Sequence, residues 1–588
     1  MKNKKKFSRF FVLYIFAGAF FLLITGRILY LQAVKSDAAN KSVESMLSLS
    51  EKSPAPRGEI FDRNGIKLAT NREGFIVLVK GGDDLSLETT LKNLAKVSDT
   101  SYDELEKELK HQGFSYNNPF VFSEDADAKT ITKIKETPDK FPCVEILTAP
   151  VREYFYPDTA VHLLGRCGLI SKEEFEKLSG YSRDDTVGKQ GAEKAFEEIL
   201  RGTDGVRAKE KYTNKTTKKF VKDIEPLSGK NIFLTIDLNL QKAAEDALSD
   251  VIKNSSGAVG GAVVVTDVNS GEVLAIASNP EYNLDEFNKN YKELSKNKNK
   301  PFFNRSLSGL YEPGSTFKPI TAIAALESGE LSHSETIKTL GKYEYYDRVF
   351  KCNIYREKGK THGKIDVAEA LGVSCNYFFY ELGKRVGIDK ISDLAKDFGL
   401  GSATGIELTQ EEAIGTIATP KNRKEHGGYW YAGDALQAAI GQSDNRFTPI
   451  ALCNYAATLA NGGTLYAAHV LKGVKDNDGK ISYTEPKIIN SLDILPKTLQ
   501  TIREGMFLVT KSGTAKDVFS DFPQDIAGKT GTAQVNKRTN GLFIGYAPIN
   551  NPEIAFCVVV EGGASGNQAA KVAKRVLTEY FNTDEKGN

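Results

Sequence analysis

Three short polar clusters, far apart in sequence, constrain what this chain of 588 residues can fold into. The clusters are Ser315-Thr316-Phe317-Lys318, Ser374-Cys375-Asn376 and Lys529-Thr530-Gly531-Thr532. They supply a nucleophile, a proton carrier, an amide-binding group and a carboxylate anchor, the set that acyl transfer needs without histidine or a catalytic metal. The fold must therefore bring them into one pocket, and we predict an enzyme that needs no cofactor for catalysis.

The first cluster supplies the predicted nucleophile. Ser315 follows Glu312-Pro313-Gly314 and precedes an apolar helical run over residues 319–326, so it lies in the first turn of a helix. Residues i and i+3 share a helix face, so the Lys318 amine is expected within hydrogen-bond reach of the Ser315 hydroxyl. The N–H groups at this helix end would provide half of an oxyanion hole. Burial and nearby positive charge should lower the pKa of Lys318, because a base must be neutral.

The second cluster has a competitor in the sequence. Ser374 and Asn376 precede a helical run over residues 377–382, whereas Ser443-Asp444-Asn445 spells the S-D-N motif literally. The stretch after Ser443 leads into Pro449 and a helix, which is typical of an ordinary cap. We therefore predict that Ser374 is the catalytic proton carrier and that Asn376 holds the substrate amide.

The third cluster also occurs twice in approximate form. Lys511-Ser512-Gly513-Thr514 matches the motif, but the residues after it do not resemble a sheet edge. Residues 529–535 resemble a strand, and Gly531 would let a substrate approach the backbone. Lys529, Thr530 and Thr532 are therefore predicted to bind a carboxylate, with the Thr532 N–H completing the oxyanion hole.

The N-terminus predicts where this chemistry takes place. Five basic residues precede an uncharged apolar run over residues 10–24, which continues less purely to residue 31. The alternative is a cleaved signal peptide, but bulky residues 28–32 follow the run instead of a small-residue cleavage site. We predict an uncleaved single-pass anchor in the cell membrane, with the catalytic part outside the cytoplasm.

Charge and cysteine usage exclude other classes of protein. Lys plus Arg (78) nearly balances Asp plus Glu (76), so no basic field points to nucleic acid. Six cysteines without a C-x-x-C pair do not make a disulfide scaffold in a chain of this length.

The pattern of predicted elements gives a multi-domain α/β protein. Residues 1–35 form the cytoplasmic stub and anchor, residues 36–230 a mixed pedestal, and residues 231–588 the catalytic domain. An Asn64-Gly65 turn in the pedestal predicts a hairpin. In the catalytic domain, strands predicted at 231–237, 261–267, 272–277, 541–546 and 554–560 are expected to meet in one antiparallel sheet under a helical layer.

The chain resembles the class B penicillin-binding proteins, which are peptidoglycan D,D-transpeptidases. The resemblance rests on the anchor, on the three clusters, and on further motifs at residues 57–65, 188–202, 441–442 and 448–449. It implies a fold shared with serine β-lactamases on an elongated α+β pedestal. It also implies that Ser315 attacks the D-Ala–D-Ala amide of peptidoglycan stem peptides, that β-lactam antibiotics acylate it, and that a membrane glycan polymerase is the partner.

A structural metal site is a further hypothesis. Asp347, Cys352, His362 and Cys375 fall within a short stretch, and zinc accepts all of these ligand types. The C-x2-4-C spacing of strong zinc sites is absent. A Cys352–Cys375 disulfide or unpaired buried thiols are the alternatives.

Rival functions share part of this evidence. A β-lactamase would hydrolyse its acyl-enzyme quickly, and a D,D-carboxypeptidase would pass the acyl group to water. A penicillin-sensing receptor would bind the drug covalently and signal through the membrane. The fate of the acyl group separates these possibilities.

Overall fold

The computed structural model describes residues 18, 20–25, 50–98, 100–115, 119–208, 223–535, 538–563 and 565–586. The chain divides into two compact units over this described part. The larger unit contains residues 57–201 and 230–588, and the smaller one contains residues up to 56 together with 202–229. In the smaller unit, strand β1 (Ser50–Ser53) pairs antiparallel with β8 (Gly205–Ala208).

An antiparallel sheet forms the centre of the catalytic half of the larger unit. Its strands run in the order β11-β10-β22-β21-β20. They are β10 (Gly260–Asp267), β11 (Val273–Asn279), β20 (Ala527–Val535), β21 (Arg538–Ala547) and β22 (Ile554–Glu561). The prediction that strands from both ends of this region meet in one sheet is confirmed for these segments.

Both faces of this sheet are covered by helices. Helices Leu238–Lys253 and Gly566–Lys586 pack on one face, and helix Pro449–Ala460 packs on the other. Alternate residues of β22 enter opposite cores: Val558 faces the first layer, while Val559 faces the second. Because side chains alternate along a strand and both faces are buried, the strand is apolar almost throughout.

A second sheet joins residues from the pedestal and catalytic regions of the sequence. Its strands run in the order β18-β17-β9-β2-β3-β4, and β5 also pairs with β3. They are β2 (Ile60–Phe61), β3 (Lys67–Val79), β4 (Phe120–Ser123), β5 (Val144–Tyr154), β9 (Asn231–Leu234), β17 (Leu471–Lys475) and β18 (Ile481–Tyr483).

The strand at residues 231–234 corrects one expectation. We expected it in the catalytic sheet, but β9 pairs in parallel with β2 and antiparallel with β17. Buried and partly exposed residues alternate along β9, and this short pattern fits either of the two sheets. Only pairing with strands distant in sequence decides which sheet β9 joins. The predicted hairpin is confirmed, since β2 pairs with β3 across a turn in which Gly65 has a φ of +85°.

The motif at residues 57–65 begins with a buried ion cluster. Glu193 is completely buried and accepts a hydrogen bond from Arg57 Nε at 3.0 Å and another from Arg152 Nε at 2.6 Å. A buried carboxylate between two guanidinium groups joins three segments that are distant in sequence.

Short strands and the remaining helices complete the described elements. The strands are β6 (Cys167–Leu169), β7 (Thr186–Gly188), β12 (Ile337–Thr339), β13 (Lys342–Tyr345), β14 (Arg348–Lys351), β15 (Gly363–Ile365), β16 (Thr464–Tyr466) and β19 (Ile488–Ser491). The helices before residue 230 are Asp84–Ser98, Tyr102–His111, Ala128–Glu136, Val161–Leu164, Lys172–Lys177, Gly191–Ala195 and Glu197–Leu200. The other helices after residue 230 are Phe287–Leu294, Arg305–Ser308, Lys318–Glu327, Asn353–Lys358, Val367–Gly372, Asn376–Val386, Ile388–Asp397, Pro420–Glu425, Ala432–Ala439, Pro496–Lys511 and Lys516–Phe519. Two 3₁₀ turns lie at Pro138–Lys140 and Gly314–Phe317.

No helix among the residues described is long and apolar enough to cross a membrane. The predicted anchor at residues 1–35 falls almost entirely outside them.

Candidate active site

A tight turn presents the predicted nucleophile. Gly314–Phe317 forms a 3₁₀ turn that leads into helix Lys318–Glu327. Gly314 has a φ of +54°, and its N–H donates to Gly441 O at 2.9 Å. A Cβ on Gly441 would lie only 2.1 Å from Gly314 O, so this contact requires glycine at position 441, while the positive φ at position 314 favours glycine there. Ser315 is partly exposed, while the next residues of the turn are buried.

Lys318 is completely buried at the start of the helix. Its Nζ donates to Asn376 Oδ1 at 2.7 Å, to Ser374 O at 2.9 Å and to Ser374 Oγ at 3.2 Å. We predicted that the amine reaches Ser315, one turn away; the hydrogen bonds it makes here are with the second cluster. Burial lowers the pKa of Lys318 to about 8, which is the expected direction.

Ser374 joins all three clusters. It lies between helices Val367–Gly372 and Asn376–Val386. Its φ is +55°, a backbone conformation that few residues other than glycine adopt. Its Oγ accepts hydrogen bonds from Lys318 Nζ at 3.2 Å and from Lys529 Nζ at 3.0 Å. Because both amines donate to this oxygen, the Ser374 hydroxyl hydrogen is available to a different acceptor.

The third cluster lies on β20, at the edge of the catalytic sheet as far as the described strands show. Lys529 is completely buried, and burial together with the charge of Lys318 holds its pKa well below the ordinary lysine value. We expected a nearby positive charge to lower the pKa of Lys318 together with burial. Here burial lowers the pKa of Lys318, and the positive charge of Lys318 lowers the pKa of Lys529.

The β20 strand runs directly against the nucleophile turn. A Cβ on Gly531 would lie 2.7 Å from Pro313 O, and one on Gly314 would lie 3.7 Å from Thr532 N. This close approach places the Thr532 backbone beside the turn that carries Ser315. The arrangement suits a two-donor oxyanion hole made by the N–H groups of Ser315 and Thr532.

The competing S-D-N motif has a different environment. Ser443 Oγ accepts from Arg423 Nη2 at 2.8 Å. The buried Asn445 amide donates to Ala438 O and Gln442 O, both at 3.1 Å. These contacts brace the loop next to Gly441, whereas the contacts of Ser374 are with the two lysines.

The competing K-S-G-T motif contains a residue that sequence reasoning missed. Lys511 is exposed at the end of helix Pro496–Lys511, but Thr514 Oγ1 lies 2.6 Å from Thr530 Oγ1. The sequence predicts no sheet edge after Lys511, and residues 512–515 indeed form a loop. No local sequence signal pairs position 514 with position 530.

The cysteines of the metal hypothesis meet behind the second cluster. Cys352 Sγ lies 3.9 Å from Cys375 Sγ and 3.9 Å from His362 Nδ1, and both thiols are buried. Since a disulfide has a sulfur–sulfur distance of about 2.05 Å, no bond joins them here. Two thiolates on a tetrahedral zinc lie about 3.8 Å apart, so the spacing fits that ion.

The fourth predicted ligand lies elsewhere in this region. Asp347 is in the exposed turn between β13 and β14, and the group of ligand atoms within 4.8 Å of one another contains Cys352, His362 and Cys375 only, among the residues described. The structure therefore supplies a cluster with three ligands rather than four.

Two family models match the chain. The penicillin binding protein transpeptidase domain matches residues 261–580, and the penicillin-binding protein dimerisation domain matches residues 52–234. The peptidoglycan D,D-transpeptidase MrdA of Acinetobacter baumannii is 30% identical, over 96% of this chain and 86% of that protein.

Solved structures share the fold over nearly the whole chain. PBP2 from Helicobacter pylori, in its complex with MreC, gives a TM-score of 0.78 at 26% identity and covers 91% of this chain and 99% of that one. A chain from a structure of a peptidoglycan synthase complex, which describes the coordination of polymerization and crosslinking, gives a TM-score of 0.71 at 27% identity and covers 98% of both chains. With its three clusters joined at Ser374, this chain belongs to the class B penicillin-binding proteins.

Proposed function

We propose that the protein is a peptidoglycan D,D-transpeptidase that cross-links stem peptides through an acyl-enzyme on Ser315 and is inhibited by β-lactams. One observation carries the proposal: the amines of Lys318 and Lys529 both donate to Ser374 Oγ, beside the turn that presents Ser315. Membership of the family and the similarity to MrdA support the same conclusion.

Acylation uses one proton path. Ser315 Oγ attacks the carbonyl carbon of the D-Ala–D-Ala amide, and the neutral Lys318 amine accepts the hydroxyl proton. The N–H groups of Ser315 and Thr532 stabilise the oxyanion. When the C–N bond breaks, Ser374 gives its proton to the leaving amine and recovers one from Lys318. The products are the ester on Ser315 and free D-Ala.

The second half of the reaction reverses these roles. The amine of a neighbouring stem peptide attacks the ester, loses a proton towards Lys318 through Ser374, and displaces Ser315 Oγ, which is protonated again. Asn376 holds the substrate amide with the part of its side chain not used by Lys318. The cross-link forms without any net change in the enzyme.

The two lysines are coupled by charge. The terminal carboxylate of the substrate, held by Lys529, Thr530 and Thr532 at the open backbone of Gly531, stabilises the charged form of Lys529. A charged Lys529 disfavours a second charge on Lys318, because both amines contact the same Ser374 oxygen.

One experiment separates this function from its rivals. Purified protein is incubated with lipid-linked precursor, a glycan polymerase and a labelled D-amino acid, with Ser315→Ala as control. Cross-linked product that depends on Ser315 supports the proposal. Hydrolysed stem peptide without cross-links would indicate a carboxypeptidase, rapid β-lactam turnover a β-lactamase, and a stable adduct with no peptide product a receptor.

We propose in addition that Cys352, His362 and Cys375 hold a structural zinc ion. The thiols are buried, and both Cys375 Sγ and His362 Nδ1 lie 3.9 Å from Cys352 Sγ. The contact between the thiols lowers the pKa of Cys352 and raises that of Cys375, so in the absence of an ion this contact favours a thiolate at Cys352 only. The ion would supply no chemistry to the reaction. It would tie the segment after β14 to the start of helix Asn376–Val386, which carries Asn376.

The zinc proposal is tested by metal analysis. Protein purified without chelators should contain about one equivalent of zinc per chain, and Cys352→Ser should lose it. Cys453→Ser, another buried cysteine, is the matched control and should keep the metal. Less than about a tenth of an equivalent in the wild type would contradict the site.

The remaining assignments concern location and partners. We propose that residues 1–35 anchor the chain in the cell membrane, that residues 36–230 form a pedestal domain, and that residues 231–588 form an extracytoplasmic catalytic domain. The partner is a membrane glycan polymerase, as the likeness to a chain of a peptidoglycan synthase complex supports. Removal of residues 1–35 should release the protein from membranes; retention in the membrane fraction would contradict the anchor.

A further inference from the structure

A short contact joins the substrate-binding strand to a loop outside the three clusters. Thr514 Oγ1 lies 2.6 Å from Thr530 Oγ1, and either hydroxyl can be the donor. Thr530 is buried, with 8% of its surface exposed, and Thr514 is partly buried. The contact is therefore a strong and shielded hydrogen bond between two neutral groups.

The loop that carries Thr514 is held in place by its backbone. The N–H groups of Ser512 and Gly513 both donate to Leu508 O, at 3.0 and 2.7 Å, which closes the end of helix Pro496–Lys511. Ala515 is completely buried, and its N–H donates to Val509 O at 2.9 Å. Thr514 thus projects from a fixed turn.

The same loop also contacts the segment that leads to Ser374. Thr514 N donates to Gly372 O at 3.4 Å, and a Cβ on Gly513 would lie 2.2 Å from the same oxygen. The loop therefore touches the element before Ser374 with its backbone and the third cluster with its side chain. The loop therefore connects the segment before Ser374 with strand β20, next to the residues proposed to bind the carboxylate.

We propose that Thr514 is a positioning residue that orients the Thr530 hydroxyl towards the substrate carboxylate; this rests on the proposed function. A carboxylate only accepts hydrogen bonds, so Thr530 must donate its single hydroxyl hydrogen to it. Thr514 must then donate to Thr530, and the bound anion selects this direction. The hydrogen bond from Thr514 polarises the Thr530 hydroxyl and so strengthens the hydrogen bond from Thr530 to the carboxylate.

Within the part of the chain that the structure describes, Thr530 has few other means of fixing its rotation. It lies on the face of β20 that also carries Thr532, whose Oγ1 accepts from Gly566 N at 3.3 Å. A Cβ on Gly566 would lie 2.8 Å from Thr530 Cβ, so that side of the side chain is covered by a glycine backbone. Among the residues described, Thr514 provides the hydrogen bond of the Thr530 hydroxyl.

The test compares ligands with and without a carboxylate. The rate constant for acylation of Ser315 is measured for a penicillin and for its methyl ester in wild type, Thr514→Val and Thr514→Ser. We expect Thr514→Val to slow the acid by about five- to tenfold and the ester by less than about twofold, because one hydrogen bond to the anion site is weakened. Thr514→Ser should stay close to the wild type.

Further variants keep the inference falsifiable. In a Thr530→Val background, Thr514→Val should have no additional effect on the acid, because the relay is already lost. If Thr514→Val does not fold, Thr514→Ala is measured in the same way. Equal slowing of acid and ester, or no slowing of the acid, would overturn the inference. Absence of any Ser315 adduct in the wild type would instead overturn the proposed function.

Discussion

The pKa of Lys318 predicts how acylation depends on pH. With a pKa of about 8, the neutral fraction of this amine is about one tenth at pH 7, one half at pH 8 and nine tenths at pH 9. The neutral base is present above this pKa and is lost as the pH falls through it. Acylation of Ser315 should therefore rise about tenfold between pH 7 and pH 9 and then reach a plateau.

A single isosteric substitution tests the physical cause. Asn376 Oδ1 accepts from Lys318 Nζ at 2.7 Å, so Asn376→Asp places a carboxylate at that contact. An opposite charge this close should raise the pKa of Lys318 by about one to three units. The neutral fraction at pH 8 then falls by about five- to 500-fold, and the rate recovers only at higher pH.

The assay is stopped-flow acylation by a fluorescent penicillin between pH 6.5 and pH 10. Asn376→Ala is the control, because it removes the substrate contact without adding charge and should lower the rate without raising the inflection. An ordinary lysine would give a rise of about a hundredfold from pH 7 to pH 9 with no plateau. A flat profile, or the same inflection in wild type and Asn376→Asp, would refute the role of Lys318.

Three other substitutions test the geometry. Ser374→Ala should slow acylation by about 10²- to 10⁴-fold, while Ser443→Ala should change it by less than about threefold; the reverse result would exchange their roles. Gly531→Ala places a Cβ 2.7 Å from Pro313 O and should slow acylation by about 10²-fold in a protein that still folds; an unchanged rate would show that the turn can move freely. Glu193→Ala leaves two buried guanidinium groups without their carboxylate and should lower the free energy of unfolding by about 3–5 kcal/mol in denaturant titrations; a loss below about 1 kcal/mol would contradict that view of the cluster.

Local pattern predicted many of the elements around the site. The helix after Ser315, the helix after Ser374 and the strand at Lys529 all lie close to their expected positions. The hairpin at Asn64-Gly65 follows from turn chemistry. These features depend on contacts between residues a few positions apart, which propensity and periodicity describe well.

The metal cluster shows where this information ends. The spacing of these residues in the sequence favoured neither a zinc site nor a disulfide, and it included Asp347 among the candidate ligands. In the fold, the two sulfurs and one histidine nitrogen approach one another while Asp347 lies in an exposed turn. The direction of each ligand side chain cannot be read from composition, because two strands and two helices lie between Asp347 and Cys375.

The sequence by itself determined the chemistry that is available: a serine, two lysines, a second serine and an asparagine, each next to a recognisable helix or strand. Only the tertiary structure decided which copy of each motif meets the others. It placed Ser374 rather than Ser443 between the two lysines, and Thr514 against Thr530. It also placed β9 in the sheet with β2. The physical reason is that these contacts join residues tens to hundreds of positions apart, whose local sequences suit several partners equally well, and only packing of the whole chain selects one of them.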